Sequence, residues 1–417
     1  MLSTYDTIRL IGLAAFCFFA FCQPSLNPEK RARWPNARAS KWMLAVSLGL
    51  NVANWISTFT RTYLIGMIEA LLNVIFKRGL FGCPPRASFE RAVDYFVEQY
   101  RKAHPDERSN AVVTGGDTGI GFEIARGLLE AGFHVIIETG IEKEPIATAS
   151  QTPEAGEAAQ TKLQDITGNQ NVSYVKLNLL SHDNVLSFCD EVMTKIPRGQ
   201  LNLLINNAGV MNPPCQMTED KIESQYQVNC LSPFLLTIKL LPWMRPNGRV
   251  LFASSSTLYT ISQLDFKMQE RRYGMSGLTH YSYSKICVAL LACRLGNILS
   301  KQKSEIKVLP YHPGVVRTRL FNTTTIFTWR IFSRILDYIM LSPKEGSKTP
   351  IFLSLWPDLN IAHDHVWMDM VPYPVPFSDE PDTLDTLWND SLKRLRGLDA
   401  EKYISSCLSD ESTHVVY

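Results

Sequence analysis

The sequence predicts an α/β fold: a doubly wound, mostly parallel sheet with helices on both faces, preceded by an N-terminal hydrophobic membrane region. Three observations carry that expectation. From Asn110 onwards short β-branched runs alternate with helical ones, the pattern of strand–helix–strand units on a parallel sheet. A glycine cluster, Thr114 to Gly121, stands directly between the first of those runs and the first helix. Apolar stretches fill much of the chain before Cys83.

Composition sets the frame. A chain of 417 residues has room for one large domain, an appendage and a full core. Hydrophobic residues at 45% and charged residues at 20% are ordinary for a globular protein. A net charge of +2 gives no reason to expect nucleic acid as a partner. Nine cysteines without a C-x-x-C pair signal neither a zinc site nor a disulfide framework, so reduced thiols and no metal are expected.

The membrane region is expected over residues 1–85. Leu10 to Cys22 is uninterruptedly apolar but shorter than the roughly 20 residues of a comfortable span. A signal peptide is the rival reading, opposed by Asp6 beside Arg9 and by prolines in place of a small-residue cleavage site. Trp42 to Phe59 follows a basic loop and holds Asn51 and Asn54, which leaves a span, a hairpin or an interfacial helix open. Tyr63 to Phe76, with the one acid Glu69 and a Lys77-Arg78 end, suits an amphipathic helix on a membrane surface. The basic loop should face the cytosol. Two spans would make the rest luminal and one would leave it cytosolic; the cysteine pattern favours the cytosol.

The catalytic domain is expected over residues 86–370, with strands at Ala111–Val113, His134–Ile137, Val172–Leu177, Leu201–Ile205, Arg249–Ala253 and Lys307–Tyr311. Residues 371–417 open on a proline-rich stretch and read as an excursion over the surface. His363-Asp364-His365 has ligand-type residues but no third partner, so a polar turn is expected rather than a metal site. Phe321 to Met340 carries an apolar stripe at helical spacing, either core or, with a membrane anchor nearby, an apolar lid dipping into lipid.

The first strand, T-G-G-D-T-G-I-G and the helix after it place backbone amides at a helix N-terminus, where an anion such as a pyrophosphate is favoured. Tyr281 and Lys285, at i and i+4, share one helix face. A phenol of pKa near 10 is a poor base until a neighbouring ammonium stabilises its phenolate.

The spacing T-G-x-x-x-G-x-G resembles the short-chain dehydrogenase/reductase family, as do Asn206-Asn207-Ala208-Gly209, Tyr281-x-x-Ser284-Lys285 and Pro313-Gly314. The long gap between Ser255 and Tyr281 resembles its retinol-dehydrogenase-like branch, which includes the WW-domain oxidoreductases. The likeness covers roughly Asn110 to Leu320. It implies a Rossmann-type fold and NAD or NADP as coenzyme. Thr114, Gly115, Gly119, Ile120, Gly121, Asn178, Asn207, Ala208, Gly209, Pro313, Gly314, Val316 and Thr318 would hold that coenzyme with Tyr281 and Lys285. It also implies a catalytic set of Asn229, Ser255, Tyr281 and Lys285, in which Ser255 holds the substrate oxygen and Asn229 a relay water. Asn178 replaces the usual aspartate beside the adenine. The arginine that usually follows the second strand for NADP is missing; Glu138 there suits ribose hydroxyls and NAD.

The function these features imply is a membrane-associated oxidoreductase moving a hydride between NAD(P)(H) and a lipophilic alcohol or carbonyl of retinoid, polyprenoid, long-chain or sterol type. It would sit on the endoplasmic reticulum or a lipid droplet, with room for a homo-oligomer. A catalytically silent dinucleotide-binding scaffold is the alternative.

Overall fold

A computed structural model describes residues 58–77, 87–105, 107–139, 153–267, 270, 277–321, 339–357, 359, 363–395 and 400–406. Leu10–Cys22, nearly all of Trp42–Phe59 and residues 322–338 of the apolar stripe lie outside them.

The strands are β1 (Asn110–Val113), β2 (His134–Thr139), β3 (Val172–Lys176), β4 (Leu201–Asn206), β5 (Met244–Ala253), β6 (Lys307–His312), β7 (His365–Met368) and β8 (Val371–Pro374). They form one sheet in the order β3-β2-β1-β4-β5-β6-β7-β8. Pairing is parallel throughout except at the β7–β8 hairpin. Between β1 and β4 the strand order reverses, and the loops leaving the two strands part to open a crevice at their C-terminal ends.

Strand alternation splits the core into two layers. Val112, Ile136, Leu204, Val250 and Val308 point to one face. Ala111, Val113, Val135, Ile137, Leu203, Ile205, Leu251 and Leu309 point to the other. Both faces are covered, which is why these strands read as continuous apolar runs. The first face receives α5 (His182–Lys195), α6 (Ser232–Leu240) and α7 (Gly277–Lys301), which carries Tyr281 and Lys285, while α4 (Pro153–Thr167) lies on the other. Helix α7 is long and apolar enough to cross a membrane by composition, yet it is mostly buried inside the protein. The second face receives α3 (Gly119–Glu130) and α8 (Lys348–Leu355), and α2 (Ala87–Ala103) packs outside α8 through Phe96 and Phe352, 5.4 Å apart.

Two expectations are corrected. The stretch after residue 370 is not a surface excursion: Val371–Pro374 pairs with β7, and α9 (Pro381–Arg394) buries Leu384, Leu387 and Trp388 in the first core layer. Alternate prolines at Pro372 and Pro374 are tolerated because β8 is the outer strand, where one row of amides needs no partner. The expected boundary at 370/371 thus falls inside a hairpin. The second correction concerns α1 (Thr58–Lys77). Thr62 and Glu69 do not face water: they are buried against the body of the domain with Ile65, while Met67 and Leu71 stand exposed at 66% and 56%.

Candidate active site

The crevice is built from backbone on the β1–β3 side. Thr114 Oγ1 accepts from the amides of Asn207 (2.9 Å) and Ala208 (3.0 Å), and Asn207 Nδ2 donates to Thr114 O at 3.0 Å. The turns after β1 and β4 are therefore stitched together across the switch point. Gly115 and Gly119 take φ of +67° and +59°, open to glycine at little cost. A Cβ on Gly121 would lie 1.9 Å from Gly115 O, so the turn closes only with glycine there. Thr118 caps α3 without a side-chain bond, and no acid sits in the first turn. Amides at that helix end are left for an anion, which is what a dinucleotide pyrophosphate brings.

Gly115, Gly119, Ile120, Asn178, Asn207, Ala208, Gly209, Pro313 and Thr318 line the crevice with Tyr281 and Lys285. Thr114 and Gly121 support the turn from beneath. Gly314 and Val316 brace it from behind: Gly314 has φ +92°, and Val316 bridges to Leu341. Asn178 Oδ1 accepts from Leu180 N at 3.0 Å.

Glu138 is placed differently from the expectation. It is 3% exposed, and its Oε1 accepts from Gly115 N at 2.6 Å. Burial pushes its carboxyl up to about 8, against the pull of that amide, with Asp117 adding to the rise. A side chain committed to the glycine turn is not free to reach ribose hydroxyls.

The other side of the crevice is made of side chains. Tyr281 and Lys285 lie on one face of α7, with Lys285 Nζ 5.6 Å from the Tyr281 ring centre. Lys285 Nζ donates to Ala253 O at 2.9 Å, and Ser254 Oγ donates to Lys285 O at 2.7 Å, locking α7 to the end of β5. Burial brings the lysine down to about 8. Burial raises Tyr281 to about 12; its hydrogen bond with Ser255 lowers it and the charge of Glu69 raises it further. In this environment the tyrosine holds its proton across neutral pH.

Asn229 stands in a π turn, Gln227–Leu231, that interrupts the helix after Ser224–Tyr226. The widened turn aims its amide at the β4 loop: Val210 N donates to Asn229 Oδ1 (2.8 Å) and Asn229 Nδ2 donates to Val210 O (2.9 Å) and Ser284 Oγ (3.0 Å). A Cβ on Gly209 would fall 3.0 Å from Asn229 Oδ1 and 3.3 Å from Lys285 Nζ, so both groups converge on one bare backbone position.

Sequence reasoning missed α1 as a part of this site. Glu69 Oε2 accepts from Ser256 Oγ at 2.7 Å, and its Oε1 lies 2.8 Å from His312 Nε2. Thr62 Oγ1 is 3.0 Å from Ser282 Oγ and 3.3 Å from Thr260 Oγ1. Tyr63 packs with Met211, Leu278, Leu320 and Phe321 on an apolar cluster that includes Tyr281 itself. One signal was present: a single acid inside an otherwise apolar run. Among the described residues no cluster of metal-type ligands occurs, and Asp364 pairs with its neighbour His365 at 2.6 Å.

Comparison with known proteins places this geometry. The sequence profile of the short chain dehydrogenase family matches residues 109–327. Short-chain dehydrogenase TIC 32 A, chloroplastic, of Brassica napus is 30% identical over 301 residues, covering 69% of this chain and 89% of that one. Human polyprenol dehydrogenase is 30% identical over 278 residues, 65% of this chain and 79% of its own. Mouse retinol dehydrogenase 11 is 30% identical over 247 residues, 59% and 72% respectively. With a profile that spans more than half of its length and relatives of this kind, the chain belongs to the short-chain dehydrogenase/reductase family, in its retinol-dehydrogenase-like branch, and is an NAD(P)-dependent oxidoreductase.

Proposed function

We propose that the protein oxidises or reduces a lipophilic alcohol or carbonyl at a membrane surface. The observation that carries the reading is the apolar cluster of Tyr63, Met211, Leu278, Leu320 and Phe321 around the catalytic phenol. A hydrocarbon chain entering there sheds water at roughly 25 cal/mol per Å², whereas a polar substrate would strip hydration for no partner. Two relatives named for polyprenol and retinol, both long apolar alcohols, support the same class. The outward Met67 and Leu71 of α1, just after the apolar stretches before residue 58, support a lipid-facing side near the pocket. The endoplasmic reticulum or a lipid droplet, with the catalytic body in the cytosol, is the setting this suits.

In the mechanism, Tyr281 gives its proton to the carbonyl oxygen in reduction and accepts it back in oxidation. Lys285 stabilises the phenolate left behind, and Ser255 holds the substrate oxygen beside Tyr281. Asn229 holds the water that links Lys285 to solvent. The nicotinamide, when bound, supplies or takes the hydride. Thr114, the Gly115–Gly121 turn and the Asn207–Gly209 turn hold its dinucleotide.

The test is a screen of the membrane-bound, full-length protein with NAD(H) and NADP(H) against geraniol, all-trans-retinol, a long-chain polyprenol, decanal and a sterol. Turnover of an isoprenoid or other lipid alcohol is expected. Tight coenzyme binding without any turnover would support the silent scaffold instead.

A further inference from the structure

We infer that α1 is a working wall of the active site and that Glu69 is a positioning residue for catalysis, tying the helix to both segments that flank the reacting atoms. The inference rests on the oxidoreductase reading above but not on the identity of the substrate.

Glu69 is a carboxylate 6% exposed, in a helix whose neighbours on that turn are Ile68, Ala70 and Leu71. A buried carboxylate is costly unless its oxygens are met, and an apolar residue of similar size would dock the helix without that cost. Docking is already provided for: Ile65 is fully buried in the first core layer, and Thr62 bonds Ser282 and Thr260. Glu69 therefore does something that docking does not require. Its two oxygens reach two different strand ends. Ser256 follows Ser255 directly at the end of β5, and His312 is the last residue of β6, directly before Pro313-Gly314. Glu69 Oε1 also lies 3.7 Å from where a Cβ on Gly314 would stand, which puts the carboxylate at van der Waals distance from the Pro313-Gly314 turn.

The carboxylate thus spans the gap between the serine turn beside the substrate oxygen and the turn that the family places at the nicotinamide carboxamide. Fixing both ends with one rigid acceptor sets the distance between hydride carrier and proton donor. A small misplacement there is costly to the rate because near-attack geometry is lost. The same charge opposes ionisation of Tyr281, after the larger effect of burial.

The full-length protein in detergent micelles tests this with Glu69→Gln, Glu69→Asp and Thr62→Val. Three readouts are needed: fluorescence of bound NADH or NADPH, thermal midpoint, and kcat and KM with geraniol. In Glu69→Gln the coenzyme Kd should stay within about threefold, because the phosphate turn is untouched. The bound-nicotinamide fluorescence should change at least about twofold, and kcat should fall about tenfold or more with KM little altered. Glu69→Asp should recover part of both. Thr62→Val should lower the thermal midpoint and disturb fluorescence and kcat much less than Glu69→Gln does. Wild-type fluorescence in Glu69→Gln would overturn the inference, as would Thr62→Val reproducing the losses of Glu69→Gln. Should the wild type turn over no geraniol, the lipid-substrate reading fails on that probe, and the fluorescence comparison alone still decides the role of Glu69.

Discussion

The two sides of the crevice are built on different principles. The coenzyme side, around β1 to β3 and the turn after β4, is made mostly of backbone: two short turns of amides and glycines, joined by the side chains of Thr114, Asn207 and Glu138. The substrate side is made of side chains from distant parts of the chain. Glu69 meets Ser256 across 187 positions and His312 across 243, and Thr62 meets Ser282 across 220. Chemistry that every member of such a family shares can be carried by a compact local motif. The part that meets a particular substrate is assembled by the fold.

Different substitutions should therefore break the two sides differently. Lys285→Met should have the largest effect on rate, a loss of about 10²–10⁴ in kcat, since the phenolate loses its neighbouring cation. Coenzyme affinity should fall much less, because the phosphate turn is intact; an equal loss in Kd would mean that Lys285 only holds coenzyme. Gly121→Ala comes next and acts on the opposite side. A Cβ 1.9 Å from Gly115 O cannot be accommodated by a side-chain shift, so the turn itself must move. The expected destabilisation is about 3 kcal/mol, with weakened coenzyme binding, checked by thermal unfolding and fluorescence titration.

Smaller effects sharpen the comparison at Glu138. Its carboxyl is raised to about 8 by burial, so the folded state holds a proton that the unfolded state releases near the ordinary carboxylate value. Stability should then fall as pH rises from about 4.3 to about 8. Glu138→Gln keeps an acceptor for Gly115 N and removes the ionisation, so the variant should be more stable than the wild type at pH 8 and similar at pH 4.5. A parallel pH dependence in both proteins would show that Glu138 does not titrate in this way. Glu138→Arg, by contrast, should misfold the glycine turn rather than change coenzyme choice. The smallest effect expected is from Thr139→Arg at the end of β2: about a tenfold shift in kcat/KM towards NADP(H), equal to about 1.4 kcal/mol.

How much of this was legible in the sequence follows the same division. The glycine turn, the Asn207–Gly209 turn and the Tyr281–Lys285 pair were readable because each lies within one strand–turn–helix unit or one helical turn. Six strands could be read from β-branched runs. β8 could not, because Val371–Pro374 carries alternate prolines that argue against a strand unless its outer position is known. Glu138 was read as able to meet the ribose because it is an acid near the end of the second strand, though one position early; its bond to Gly115 shows that it turns inward. For α1 the helix was legible but its orientation was not. Periodicity says which residues share a face, and cannot say whether the polar face meets water or Ser256 and His312.

The most direct test of the account is Tyr281→Phe in the membrane-bound protein, measured for hydride transfer and for coenzyme affinity together. The central claim is that this phenol moves the proton while the opposite wall holds the dinucleotide. Turnover of the best substrate should fall by about 10²–10⁴ with the Kd for coenzyme nearly unchanged. Activity above about a tenth of wild type, or a matching loss of coenzyme affinity, would contradict it.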